Sequence, residues 1–402
     1  MDNVITGIDI GSDSIKIVTA NYIGKSFNIL ASTISSSLGI KRGLVVDHIL
    51  ALRSLKEAIK EHEKMLGTKV TKALVCVPSA DRKLSIVEST IRVDGVVKGE
   101  NISTLLEEAS IDQVDEDYVL VSIIPIIFCI NDMKYTMNPN GSEADTLGVK
   151  ALLSVAPQKN IYDILRVVSE ADITVADITF GTIGDYYASK DEDKDKVIGA
   201  IVNIGLNKTN ISIFNKGILI KDSIINLGSN NVDKDISYIY EVEPEESRRI
   251  KEEYGVATRR YADINENIEF KNGDNKTVSI TELDLGEVIE ARLEELLELI
   301  KKEINNLTNR KISYIIISGG ITELMGFNSL VEDILGIDAK VVSMDTLGVR
   351  DNRFSSCFGI IKYYYYKMVL REKSIAFINN EQKEEILNYK DIENIDKEII
   401  GS

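Results

Sequence analysis

Two stretches far apart in the chain share one local pattern, and that duplication constrains the fold more than any other feature. Residues 8–16 read IDIGSDSIK and residues 202–210 read VNIGLNKTN. Each sets a β-type apolar residue, a short polar residue, an isoleucine and a glycine before small or hydrogen-bonding side chains. Standing at the head of each half, such a repeat implies two homologous halves with a cleft between them. The short polar residue is Asp9 in the first copy and Asn203 in the second, a carboxylate exchanged for its amide.

Composition narrows the function classes. With 402 residues the chain is too long for one compact core. It is 44% hydrophobic and 28% charged, as a globular protein is. The net charge of −17 disfavours nucleic acid, whose phosphates require clustered Lys and Arg, and disfavours anionic lipid for the bulk surface. Cys76, Cys129 and Cys357 sit apart in apolar runs and read as buried free thiols of a reducing compartment. His48 and His62 are the only histidines and lie apart in sequence, so no transition-metal site is expected. No signal peptide opens the chain, and the most apolar run, CFGIIKYYYYKMVL, is short and carries Lys362 and Lys367. A cytoplasmic protein is expected.

Short β-rich runs alternate with amphipathic stretches, an α/β arrangement. VITGIDI, SIKIVTANYI and SFNILASTIS predict a three-strand meander, and residues 48–67 a helix. KALVCVPSA predicts a buried strand. Residues 83–165 differ in character, with three strands around one helix (ENISTLLEEAS), as in a small inserted domain. The charged cluster KDEDKDK at 190–196 marks a domain junction. The second half then begins as the first did, followed by a long helical pattern, a buried strand ISYIIIS and the turn at Gly319 and Gly320.

A glycine after a strand lets backbone amides approach a phosphate with no Cβ in the way. Gly11 and Gly205 are the candidates, with the hydroxyls of Ser12, Ser14 and Thr209 as donors; a plain hairpin turn is the alternative for either loop alone. The stretch SGGITELMG would pass beneath an adenosine, its glycines leaving room for base and ribose.

These three segments are similar to the two phosphate loops and the adenosine loop of the actin, sugar-kinase and chaperone ATPase superfamily. Within it the chain most resembles FtsA, the bacterial actin homologue that links the FtsZ division ring to the membrane. GIKRGLVVDHILALRSLKEAI, MNPNGSEADTLGVKALLSVAP, INLGSNNVDKDIS and IKEEYGVA follow FtsA segments in order, so that the resemblance runs from residue 4 to about 370. It implies an actin-like fold of two ribonuclease-H-like domains around a nucleotide cleft, with the FtsA-type 1C insertion. The parts expected are 1A at 1–82 and 166–195, 1C at 83–165, 2A at 196–228 and 306–370, 2B at 229–305, and a tail at 371–402.

The resemblance also implies a site for ATP with Mg2+. Asp9 would lie near the metal, holding it through water, and the γ-phosphate, with Gly11, Ser12, Ser14 and Lys16 around the phosphates. Asn203, Gly205 and Thr209 would form the matching loop, with Lys208 an unusual residue inside it. Gly228 and Asp235 would follow the third strand, and Gly319, Gly320 and Gly326 would take the adenosine side. Lys251 matches an adenine-side lysine, against the alternative of a solvated helix face. Two departures from the pattern stand out: Asn203 where the family has Asp, and Arg248 where it has Glu. Losing a carboxylate weakens Mg2+ binding and water activation, so slow or absent hydrolysis is expected.

As partners, the resemblance implies the FtsZ C-terminal peptide on 2B, at Arg292 and Lys301, further division proteins on 1C, and head-to-tail filaments at the division site on the inner face of the cell membrane. For Arg292 the alternative is an i,i+3 pair with Glu295. The tail has five basic and eight acidic residues, but Ile386, Tyr389, Ile392, Ile395 and Ile399 recur at helical spacing. Its acidic polar face fits a protein groove better than anionic lipid. Two other readings remain open: a PilM-like scaffold of type IV pilus assembly, and a small-molecule kinase, for which no general-base aspartate is found.

Overall fold

The computed structural model describes residues 3–24, 26–373, 377 and 381–382. They form two compact units, the first taking the described residues up to 188, 345–350 and those from 356 on, the other residues 189–344 and 351–355.

The first unit opens with β1 (Val4–Ile10), β2 (Ser14–Ile23) and β3 (Ser26–Ser36), an antiparallel meander. The small hairpin of β4 (Ile40–Lys41) and β5 (Leu44–Val45) leads into α1 (His48–Leu66). Asp47 starts that helix by accepting from the Leu50 amide at 3.0 Å, and Gly67 ends it at φ 85°, the left-handed conformation glycine tolerates. Next come β6 (Lys72–Val77), β7 (Lys83–Val96), α2 (Gly99–Glu108), β8 (Tyr118–Ile130), β9 (Lys134–Thr136) and β10 (Glu143–Pro157). Then follow α3 (Gln158–Glu170), β11 (Thr174–Phe180) and α4 (Gly181–Ser189). The main sheet has the order β11-β6-β1-β2-β3, with β6 and β11 parallel to β1. Strands β7 to β10 make a separate sheet, ordered β7-β10-β8-β9, whose apolar face closes over Ile102, Leu105 and Leu106 of α2.

The second unit repeats the plan. It has β12 (Ile198–Ile204), β13 (Thr209–Asn215) and β14 (Ile218–Ile225), then α5 (Asn230–Tyr240) and α6 (Pro244–Tyr254). A hairpin of β15 (Asn267–Lys271) and β16 (Thr277–Thr281) precedes α7 (Glu282–Leu307). Next are β17 (Ile315–Ser318), α8 (Phe327–Leu335) and β18 (Ala339–Val341). The order β14-β13-β12-β17-β18 is that of the first sheet element for element: a meander, then two parallel strands. The duplication read from two nine-residue stretches is therefore a duplication of the whole sheet.

Two of the parts read from sequence run differently against the elements and units of the structure. The insert's sheet ends at Pro157, because residues 158–170 form one helix, α3, packed on α1; a boundary at 165 would cut that helix. The run 306–370 does not stay in one unit. Residues 345–350 and 356 onward belong to the first unit, where α9 (Ser355–Leu370) packs on the sheet and on α4. Among the described residues no helix is long and apolar enough to cross a membrane, and the apolar run at 357–370 is this buried helix. The helical spacing from Ile386 to Ile399 lies outside the described residues.

One buried group of the first unit predicts an acid sensitivity. His62, on the inner face of α1, is fully buried, and its two ring nitrogens meet Thr19 Oγ1 (2.9 Å) and Thr33 Oγ1 (3.0 Å). Burial pushes its pKa down to about 3. A base whose folded pKa lies below its unfolded value of about 6.5 weakens the fold as pH drops beneath 6.5, and the loss saturates near the folded pKa. At pH 5 the cost is about 2 kcal/mol. The gap between the urea midpoints of wild type and His62→Gln should change between pH 7 and 5, because the wild type falls faster. Parallel curves would remove His62 as the cause.

Candidate functional site

In the first unit, the turn between β1 and β2 is closed by the Gly11 amide donating to Ser14 O at 3.0 Å. Asp9 and Lys16 face each other across the register, their charges 3.6 Å apart and both largely covered. The Lys16 ammonium lies 3.0 Å from where a Gly11 Cβ would stand. One carboxylate, one ammonium and one bare glycine backbone are thus held by a two-strand turn. Ser12 Oγ accepts from the Gly43 amide (2.9 Å), leaving its own O–H to donate, whereas the Ser14 hydroxyl is buried and turned to Asp13. Behind the turn, burial pushes the thiols of Cys76 and Cys357 up, and the Asp9 charge adds to this. These cysteines are inert wall residues.

The second unit repeats the turn. The Gly205 amide donates to Lys208 O, again at 3.0 Å, and Asn203 takes the place of Asp9 in register. Asn203 Nδ2 donates to Ser318 Oγ (3.1 Å), joining β12 to β17. Gly228 sits directly on this turn: a Cβ there would be 2.3 Å from Gly205 O, and the amides of Ser229 and Asn230 donate to Gly205 O and Leu206 O, both at 2.9 Å. Thr209 is fully buried and donates to Leu227 O at 2.9 Å, so its hydroxyl ties the start of β13 to the loop after β14. Gly319 has φ 112°, with Ile204 O 2.1 Å from a notional Cβ, a position open to glycine alone. Gly320 faces the Arg353 side chain, and Gly326 (φ 81°) lies under the Tyr261 ring.

Other assignments shift. Lys251 is not on a solvated face: it is buried on α6 with its ammonium 2.6 Å from Asp233, itself buried on α5. Burial raises the Asp233 pKa, and Lys251 opposes that rise. Asp235 instead bonds Arg292 of α7, at 2.5 and 3.0 Å, and Arg292 also contacts Glu295. The i,i+3 pair expected as the alternative is present, with a second carboxylate added. Lys301 donates to Ile334 O at the end of α8 (2.8 Å). Arg248 pairs with Glu252 one turn on. Asp233 was missed in sequence because it lies two positions from Asp235, and the motif order alone did not say which of the two turns inward.

The model of "Cell division protein FtsA" matches residues 200–359, and that of "Type IV pilus assembly protein PilM" matches residues 7–264. The PilM model covers more than half of the chain, so the chain belongs to the family that model describes. It is in addition similar to cell division proteins FtsA. The Bacillus subtilis cell division protein FtsA is 26% identical over 381 residues, covering 94% of this chain and 87% of that protein. Among solved structures, PilM in a PilM–PilN type IV pilus biogenesis complex aligns with a TM-score of 0.61 at 13% identity, covering 89% of this chain and 97% of that one. Spiroplasma citri MreB5, solved bound to ADP, aligns at 0.56 and 12%, covering 92% and 99%. The two structural likenesses fix the actin-like two-domain fold. The FtsA likeness spans the insert at β7–β10 as well as both sheets.

Proposed function

We propose that this chain is an FtsA-type cell division protein: an actin homologue that binds ATP with Mg2+, polymerises, and couples the FtsZ ring to the membrane or to other division proteins. The observation that carries this reading is the match to cell division proteins FtsA over nearly the whole length of both partners. Nucleotide binding is supported by the two glycine turns, each closed by the same 3.0 Å hydrogen bond at the head of a duplicated sheet. Asp9, Gly11, Ser12 and Lys16 in the first unit, and Gly205, Gly228 and Gly319 in the second, are the residues assigned to phosphates and adenosine. Mg2+ would be held through water by Asp9 and would neutralise phosphate charge. With Asn203 bonded to Ser318, the second turn offers no carboxylate to orient water, so hydrolysis is slow or absent.

The test has two arms. Fluorescent ATP with Mg2+ should bind the wild type and be lost in Gly11→Val, while Asn203→Asp should raise the hydrolysis rate by tenfold or more, the scale of one water-orienting group. A labelled FtsZ C-terminal peptide should bind and be weakened at least tenfold by Arg292→Gln. Failure of the peptide to bind a folded, ATP-loaded protein would sink the division reading. The second reading, a PilM-like scaffold, is favoured by the PilM family match over 7–264 and would then take its place; ATP binding by itself does not separate the two.

A further inference from the structure

The small hairpin of β4 and β5 leans on the first unit's glycine turn, and two contacts fix where its tip lies. At its base the Gly39 carbonyl accepts from the Val46 and Asp47 amides, at 2.8 and 3.1 Å, which ties the hairpin to the start of α1. At its tip the Gly43 amide donates to Ser12 Oγ at 2.9 Å. Ser12 follows Gly11 directly, so the tip rests on the same turn that holds Asp9 and Lys16 across its register.

That tip is built in an unusual way. Ile40 pairs with Val45 and Lys41 with Leu44, leaving Arg42 and Gly43 as a two-residue loop. Both have positive φ, 53° and 78°, as the tightest hairpin loops require. Glycine and asparagine take that conformation readily, whereas arginine takes it under strain. Arg42 is exposed, so packing does not repay the strain. Its charge is also unspent. Within the turn the Lys16 ammonium is matched by the Asp9 carboxylate 3.6 Å away. Among the described residues neither Arg42 nor Lys41 makes an ion pair, although the chain carries a net charge of −17. A strained, exposed, uncompensated cation is therefore held beside a turn whose own charges cancel.

We propose that Arg42 is the residue by which this turn tells a nucleoside triphosphate from a diphosphate. Its guanidinium takes the terminal phosphate, while Gly11, Ser12 and Lys16 hold the phosphates common to both. The planar guanidinium fork suits that task, because it bonds two phosphate oxygens at once. Reach is no obstacle: the Arg42 backbone adjoins the very amide that touches Ser12, and the guanidinium sits on a long flexible stem. The bond from Gly43 to Ser12 then has a purpose, since it keeps the base of that stem at the turn whether or not nucleotide is bound. The inference rests on the nucleotide reading of the proposed function and adds to it the residue that sets the preference for triphosphate.

The test is equilibrium binding of fluorescent ATP and of fluorescent ADP, each with Mg2+, to the full chain and to Arg42→Asn. Asparagine accepts the left-handed conformation better than arginine, so the variant should melt no lower than the wild type. It should bind ATP about tenfold more weakly or worse, the scale of a lost hydrogen bond to a charged group, and bind ADP as before. Lys60→Asn, the same change of charge at an exposed position on α1, should leave both affinities unchanged. Equal losses of ATP and ADP in Arg42→Asn, a ratio that does not move, or a ratio that Lys60→Asn moves as far, would each overturn the assignment while the nucleotide reading stands. A wild type that binds neither nucleotide overturns that reading, and the assignment with it.

Discussion

Gly359→Ala is expected to destabilise the first unit by more than about 3 kcal/mol, at or beyond the upper end of what overpacking usually costs. A Cβ at Gly359 would stand 1.8 Å from Gly184 O and 2.4 Å from Gly184 C, and one at Gly184 would stand 2.2 Å from Ser356 O. The contact is backbone against backbone, α9 on α4, so no flexible side-chain end can yield. The helices would have to part, and with them the bond from Ser356 Oγ to Asp185 Oδ1 (2.9 Å) and the bond from Cys357 Sγ to Gly7 O (3.2 Å). Hydrogen exchange read by mass spectrometry separates the two units. Protection should fall in α4, α9 and β1 and hold in β12–β14. Gly181→Ala, whose Cβ meets only ordinary contacts, serves as the control. Unchanged protection of α4 in Gly359→Ala would refute the close-packing argument.

Lys251→Met should cost about 3–5 kcal/mol in the second unit, the range for removing one partner of a buried pair. The ammonium and the Asp233 carboxylate are both nearly dry and 2.6 Å apart. Without Lys251, burial raises the Asp233 pKa further. A carboxyl whose folded pKa exceeds its unfolded value loses stability as pH rises from the unfolded toward the folded pKa. The deficit of Lys251→Met should therefore be small near pH 4 and widen toward pH 7. Adding Asp233→Asn should recover most of it, since an amide costs far less to bury than a charge. A deficit independent of pH would mean that lost packing, not the stranded carboxylate, is responsible.

Local pattern sufficed for much of the architecture. The meanders at β1–β3 and β12–β14 were legible because apolar runs bounded by glycine and polar turns have few alternatives, and their repetition announced two equivalent sheets. The glycine turns were legible for a steric reason: at Gly319 only a residue without Cβ escapes Ile204 O. What the chain by itself did not decide was pairing between distant segments. Nothing in the order of residues says that Asp233 turns in to Lys251 while Asp235 turns out to Arg292, since helical residues two apart point to different faces and the choice depends on where α6 and α7 pack. Nor does it say that the Thr209 hydroxyl donates to Leu227 O, in the loop after β14. The helix at 355–370 read as the end of the second half, yet it crosses back to the first unit, because the bare backbones of Gly184 and Gly359 admit it at a distance no side chain would allow. Periodicity is written in neighbours along the chain; burial of charge and the spending of hydroxyls are settled by neighbours in space.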